Sequence, residues 1–139
     1  MSYDSNNIFA RILRGELPCI RVYEDAETLA FMDIMPQSDG HTLVVPRRGG
    51  MDLLDTPAEA VAATMHTVQR VARAVDAAFT PKGLVVTQFN RAAAGQTVFH
   101  LHVHIVPVYA TGEWRMHART QADFAVLESQ AARIRAALG

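Results

Sequence analysis

The chain has one cysteine, Cys19, in 139 residues, so no internal disulfide can form; that composition suits a reducing compartment and predicts a cytosolic protein. Long apolar runs are also missing, and the few-residue stretches present fall far short of the roughly 20 needed to span a bilayer. The polar start Tyr3-Asp4-Ser5-Asn6-Asn7 has no basic region leading into an apolar one, so a signal peptide is not expected either. Charge of one sign is absent: 13 Lys and Arg stand against 14 Asp and Glu, a net charge of -1, with a pI of about 6.6. That balance offers no general field for nucleic acid or an anionic membrane, and any anionic ligand must be held by a local site. No repeat, low-complexity tract or linker divides the chain, which predicts one domain over residues 1–139.

What the chain does have is core material and histidine. Half of its residues are hydrophobic, enough for a chain of this size to fold without a metal or disulfide staple. The pattern predicts a short helix over residues 5–14, capped by Ser5 or Asn6, with Ile8, Phe9, Ile12 and Leu13 at helical spacing. Strand-like runs follow at 20–23, 28–33 and 42–45, the first two joined by the acidic turn Glu24-Asp25-Ala26-Glu27. Thr56-Pro57-Ala58-Glu59 reads as a capping box opening a long helix. Its expected core stripe is Val61, Met65, Val68, Ala72, Val75 and Phe79. Further strands are expected at 84–89 and 99–108, and a last helix at 122–138. Five strands, one long helix and flanking N- and C-terminal helices make an α+β domain with a mainly antiparallel sheet.

Three of the six histidines fall in Phe99-His100-Leu101-His102-Val103-His104-Ile105-Val106-Pro107. On a strand, His100, His102 and His104 share one face while Leu101, Val103 and Ile105 share the other. Three readings compete. The imidazoles can be ordinary polar groups on a solvated sheet face. They can be metal ligands, with His41 as a third donor, although no Cys-x-x-Cys pair supports a structural zinc site. Or they can act on phosphate, since neutral imidazole is a nucleophile near pH 7. The loop Ala92-Ala93-Ala94-Gly95-Gln96-Thr97 tips the balance, because small side chains and backbone amides just before the histidines suit a phosphate oxygen without any lysine.

With these motifs in view, the sequence resembles the histidine triad family of nucleotide-binding proteins, in its small phosphoramidate-hydrolysing branch. Similar segments include Ile8-Phe9-Ala10-Arg11-Ile12, Leu29-Ala30-Phe31-Met32-Asp33-Ile34, Gly40-His41-Thr42-Leu43-Val44-Val45-Pro46 and Ala94-Gly95-Gln96-Thr97-Val98 leading into the triad. The resemblance implies a homodimeric hydrolase of purine nucleoside phosphoramidates acting through a nucleotidyl-histidine intermediate; no cofactor is expected, and the departures at Asn7, Ala10 and Gly50 predict no bound metal. It implies that His102 is the nucleophile, that His104 contacts the phosphate, and that His100 and His41 orient and tune the nucleophile. It assigns Asp33 to the ribose hydroxyls and Ile8, Phe9, Ile12, Phe31 and Ile34 to an apolar slot for the base. Asn90, Gly95, Gln96 and Thr97 match positions that contact phosphate or leaving group. Two other readings stay open: a dinucleoside polyphosphate hydrolase using the same histidine, and a nucleotide-binding adaptor with incidental catalysis.

The chain departs from the family pattern in three places. Asn7 and Ala10 stand where some bacterial members carry a zinc-binding cysteine pair, Gly50 stands where many have histidine, and Met32 stands where the phosphoramidase branch often has histidine. The tail Glu113-Trp114-Arg115-Met116-His117 is similar to bacterial members, and neither Trp114 nor His117 is given a role. His66, mid-helix, is expected at the surface.

Overall fold

A computed structural model describes residues 2–114 and 120–139; Arg115, Met116 and His117 of the tail motif lie outside the described residues. The elements run α1 (Ile8–Leu13), β1 (Arg21–Glu24), β2 (Thr28–Met32), β3 (Thr42–Pro46), α2 (Ala58–Phe79), β4 (Gly83–Thr87), β5 (Val103–Val108) and α3 (Phe124–Ala137), with a single 3-10 turn at Ala92–Ala94. The five strands form one sheet in the order β1-β2-β3-β5-β4, and every neighbouring pair is antiparallel. The expected α+β architecture is the one observed.

Both faces of the sheet are covered, which is why β2 and β3 are buried at every position. Ala30, Met32, Val44, Val103 and Ile105 pack against Val71, Val75 and Phe79 of α2 and Leu127, Ala131 and Ile134 of α3. Leu29, Phe31, Leu43 and Val45 face the other way, against Phe9 and Ile12 of α1. Directly opposed residues in an antiparallel pair share a face, and His104 is paired with Leu43. His104 therefore sits on the α1 face, while Val103 and Ile105 belong to the helix-covered core.

Several local expectations are corrected. The α1 cap is Asn7, whose side-chain oxygen accepts the Ala10 N–H at 2.9 Å. Thr56 does not cap α2: its hydroxyl donates to the Asp52 carbonyl at 2.6 Å and accepts the Gly50 N–H at 3.1 Å, which closes the loop before the helix. Pro57 holds the cap position without a side-chain bond. The buried stripe of α2 runs through Ala60, Thr64, Thr67, Val68, Val71, Ala74, Val75 and Phe79. Val61 is only half-buried and Met65 is exposed, because a buried hydroxyl pair, Thr67 with Thr28 at 2.7 Å, turns the neighbouring helix face toward the sheet. His66 is exposed, as expected.

The largest difference lies in the histidine segment, where the regular strand begins only at Val103. The β3–β5 register pairs Val44 with Val103, and continuing it would set Pro46 against Leu101. Proline has no N–H for the ladder. The Leu101 N–H instead donates to the Gly50 carbonyl at 2.9 Å, so residues 99–102 leave the sheet and follow the loop after β3.

The C-terminal helix is part of the core, since Leu127 is fully buried among residues of the sheet and α2. Leu127→Ala is expected to lower the unfolding free energy by about 2–4 kcal/mol, measured by urea denaturation. A loss below about 1 kcal/mol would contradict this docking of α3.

Candidate active site

The α1 face of the sheet carries a cavity of about 610 Å³. Its floor is apolar, formed by Phe9 and Ile12 of α1 with Phe31 and Leu43 of the sheet, and Ile8 and Ile34 stand at its more exposed rim. Asp33, His41, His102 and His104 supply the polar wall, with Gly95 and Thr97 of the small-residue loop beside them. The fold thus brings together eleven of the residues singled out in the sequence. His100, Asn90 and Gln96 do not line the cavity. Asn90 accepts the Leu53 N–H at 2.9 Å and a Gln88 amide N–H at 2.7 Å. Gln96 is buried, accepting the Arg91 N–H and donating to the Met51 and Val98 carbonyls; it braces the loop that presents Gly95 and Thr97.

Hydrogen bonds to backbone groups define which ring nitrogens carry protons. A carbonyl oxygen only accepts, so His102, with Nδ1 2.7 Å from the His100 carbonyl, carries its proton on Nδ1. Its lone pair is then on Nε2, in a ring that lines the cavity. Phe9 stands edge-on to this ring at 4.9 Å and fixes its plane. By the same logic His100 donates from Nε2 to the Pro46 carbonyl at 2.8 Å. The influence of His100 on His102 therefore passes through its backbone carbonyl, not its ring.

His41 belongs to a second chain of bonds. Its Nδ1 accepts the Gln37 N–H at 2.9 Å, so the neutral ring is protonated on Nε2, which faces His104 Nδ1 at 3.0 Å and Asp33 Oδ2 at 3.4 Å. The other Asp33 oxygen accepts the Met35 N–H at 2.8 Å, holding the turn after β2. Burial pushes both His41 and His102 down to about 4, and it lowers His100 as well. Burial penalises the charged imidazolium, for His41 even with Asp33 3.4 Å away, so these rings are neutral near pH 7.

Asp33, His41 and His104 each offer one donor atom, all within 4.8 Å of one another, which is the spacing a metal ion would require. The proton positions do not fit one. A metal on His41 Nε2 needs the ring proton on Nδ1, where it would face the Gln37 N–H head-on at 2.9 Å. The Asn7 and Ala10 positions are equally committed, the first as a helix cap and the second as buried packing under it.

Two glycines are required by close approach. A Cβ on Gly49 would lie 2.0 Å from the His100 ring, and one on Gly50 would lie 2.6 Å from the Asp55 carboxylate and 2.8 Å from its backbone. A histidine in place of Gly50 has no room here. Residues missed from the sequence include Phe89, whose ring is 5.8 Å from that of His104, and Phe124 at the start of α3, which lines the cavity. The helical spacing of Phe124 signalled burial on α3, whereas its ring is about half exposed.

The HIT domain model matches residues 14–111. The chain belongs to the HIT domain family. A Hit-like protein from Bartonella henselae, solved with an unknown ligand, superposes with a TM-score of 0.93 at 48% identity, covering 99% of this chain and 100% of that one. Protein hit of Bacillus subtilis is 40% identical over 81% of both chains. The adenosine 5'-monophosphoramidase hnt1 of Schizosaccharomyces pombe is 37% identical over 72% of both. The histidine segment of this HIT protein is the family's hallmark, and the fold is that of its solved relatives.

The depressed histidines give this HIT protein a definite pH response. Between the ordinary histidine value near 6.5 and about 4, the unfolded chain binds more protons than the folded one, so stability falls as pH falls through that window and is fully present above it. Urea midpoints are expected to drop from pH 7.5 to pH 4.5, by an equivalent on the order of a few kcal/mol, and His102→Asn is expected to shrink that drop. An unchanged drop in the variant would mean that His102 is not held neutral by the fold.

Proposed function

We propose that this protein is a cytosolic, homodimeric nucleotide hydrolase that cleaves purine nucleoside phosphoramidates at the α-phosphorus. The observation that carries the reading is the Nδ1–H bond from His102 to the His100 carbonyl, which leaves Nε2 unprotonated in a ring facing a cavity with an apolar floor. In the first step Nε2 attacks phosphorus, the new N–P bond forms, the bond to the leaving amine breaks, and the amine departs with a proton taken from solvent. In the second step water attacks the nucleotidyl-histidine, the N–P bond breaks, the water's proton returns to solvent, and neutral His102 is restored with its Nδ1–H in place. Splitting one displacement into two is the ordinary gain of covalent catalysis.

The remaining groups suit the same substrate. Ile8, Phe9, Ile12, Phe31 and Ile34 offer an apolar slot of the kind a purine base occupies, and Asp33 is an acceptor for ribose hydroxyls. His104 and the backbone amide of Thr97 address phosphate oxygens, whereas the Gly95 N–H is already donated to the Ala92 carbonyl at 3.0 Å. Among the described residues no Lys or Arg lines the cavity, in keeping with a near-neutral chain that binds one nucleotide. Two similar proteins are named adenosine 5'-monophosphoramidase and adenylylsulfatase. Among the described residues no helix is long and apolar enough to cross a membrane.

Dimerisation through β4 accounts for a second feature. This strand is one of the two edge strands of the sheet, and Val86, Met65 and Leu53 line a shallow 230 Å³ hollow beside it, all three exposed. Val86→Lys is expected to shift the sedimentation coefficient from that of a dimer to that of a 15.3 kDa chain. A wild-type chain that sediments as a monomer would contradict the dimer.

His102→Asn is expected to lower turnover of an adenosine phosphoramidate by about a thousandfold or more while leaving the fold and mononucleotide binding intact. Turnover within about tenfold of the wild type would remove the covalent mechanism. Run side by side, a diadenosine polyphosphate turned over faster than the phosphoramidate would favour the polyphosphate hydrolase. Binding without turnover of either would favour an adaptor.

A further inference from the structure

Tyr3 lies on the segment before α1, outside the cavity wall, yet its hydroxyl is 2.7 Å from Nδ1 of His100. The His100 ring is fully buried and its Nε2 is committed as a donor to the Pro46 carbonyl. The neutral ring therefore presents a lone pair on Nδ1, and the phenol of Tyr3 donates to it. The two rings are tilted by 58° with centroids 5.8 Å apart, so the contact is a directed hydrogen bond rather than a stack. Gly49 fits beneath the same ring with no space for a methyl group. His100 is thus clamped on three sides by Tyr3, Pro46 and Gly49, and its own carbonyl holds the Nδ1–H of His102.

We propose that Tyr3 is a positioning residue for the histidine centre: its hydroxyl locks His100 as the neutral Nε2–H tautomer, and thereby fixes the carbonyl that orients His102. Without that hydroxyl, a buried lone pair on Nδ1 loses its donor, at a cost comparable to an unsatisfied buried polar group. The ring can relieve this by taking a proton or by turning, and turning gives up the Pro46 bond. A proton taken by His100 would put positive charge beside His102 and lower the basicity of its Nε2. The titratable groups facing His100 are Tyr3 and His102, and Arg14 at the end of α1 lies near the phenol. Phe9 from α1, Pro46 from β3 and Gly49 complete the surround without charge.

The proposal rests on His102 as the nucleophile, and its test separates the two. Ring nitrogen shifts of His100 by NMR need no substrate. In the wild type they are expected to show Nε2 protonated and Nδ1 as an acceptor, and the opposite tautomer would overturn the proposal before any variant is made. In Tyr3→Phe the His100 signature is expected to change, with kcat on an adenosine phosphoramidate lowered about tenfold and KM within about twofold. His102 should also react about tenfold more slowly with diethyl pyrocarbonate, a readout that stands even if the wild type turns over no phosphoramidate and the hydrolase reading falls. An unchanged His100 signature, or a changed one with His102 as reactive as before, would overturn the role of Tyr3.

Discussion

A histidine attacks phosphorus only through a lone pair, and in His102 the lone pair is assigned to Nε2 by the bond from Nδ1–H to the His100 carbonyl. That bond exists because the chain leaves the sheet at this point. In an ideal strand the carbonyl of residue 100 would be aimed sideways at a neighbouring strand, away from the side chain two residues on. Pro46 ends the β3 ladder opposite Leu101, the Leu101 N–H finds Gly50 instead, and the freed carbonyl meets the imidazole. Gly49 and Gly50 let the loop after β3 come close enough, since neither position has space for a Cβ.

Burial and tautomer control act together. Neutral imidazole needs a site that does not reward its protonation, and His41 and His102 are both pushed down to about 4 by burial. The same burial demands that every ring nitrogen away from the cavity have a partner, which the carbonyls of Pro46 and His100, the amide of Gln37 and the phenol of Tyr3 provide. Two separate chains result: one runs from Tyr3 through His100 to His102, the other from Gln37 through His41 to His104 with Asp33 alongside. In the proposed reaction the first prepares the attacking atom and the second addresses the phosphate.

Much of this was legible in the sequence. Alternation placed Val103 and Ile105 in the core and His104 on the opposite face, and the motif resemblance drew His41, Asp33 and the α1 residues to one pocket. The exit of residues 99–102 from the sheet was not legible, because it depends on which residue of another strand lies opposite, and Pro46 reads locally as the end of its own strand. The same limit hid Tyr3, which is 97 positions from its partner, and Gly49, whose role is defined by a ring it does not neighbour in sequence. Thr56 misled for a related reason: its hydroxyl had two uses, and closing the 50–56 loop took the one that a capping box would have needed.

The most direct test of the account is the stereochemical course at phosphorus. An adenosine phosphoramidate made chiral at the α-phosphorus with sulfur, hydrolysed in heavy-oxygen water, should give product with net retention, since attack by His102 and then by water each inverts the centre. Net inversion would mean that water attacks phosphorus directly, and would contradict His102 as the nucleophile.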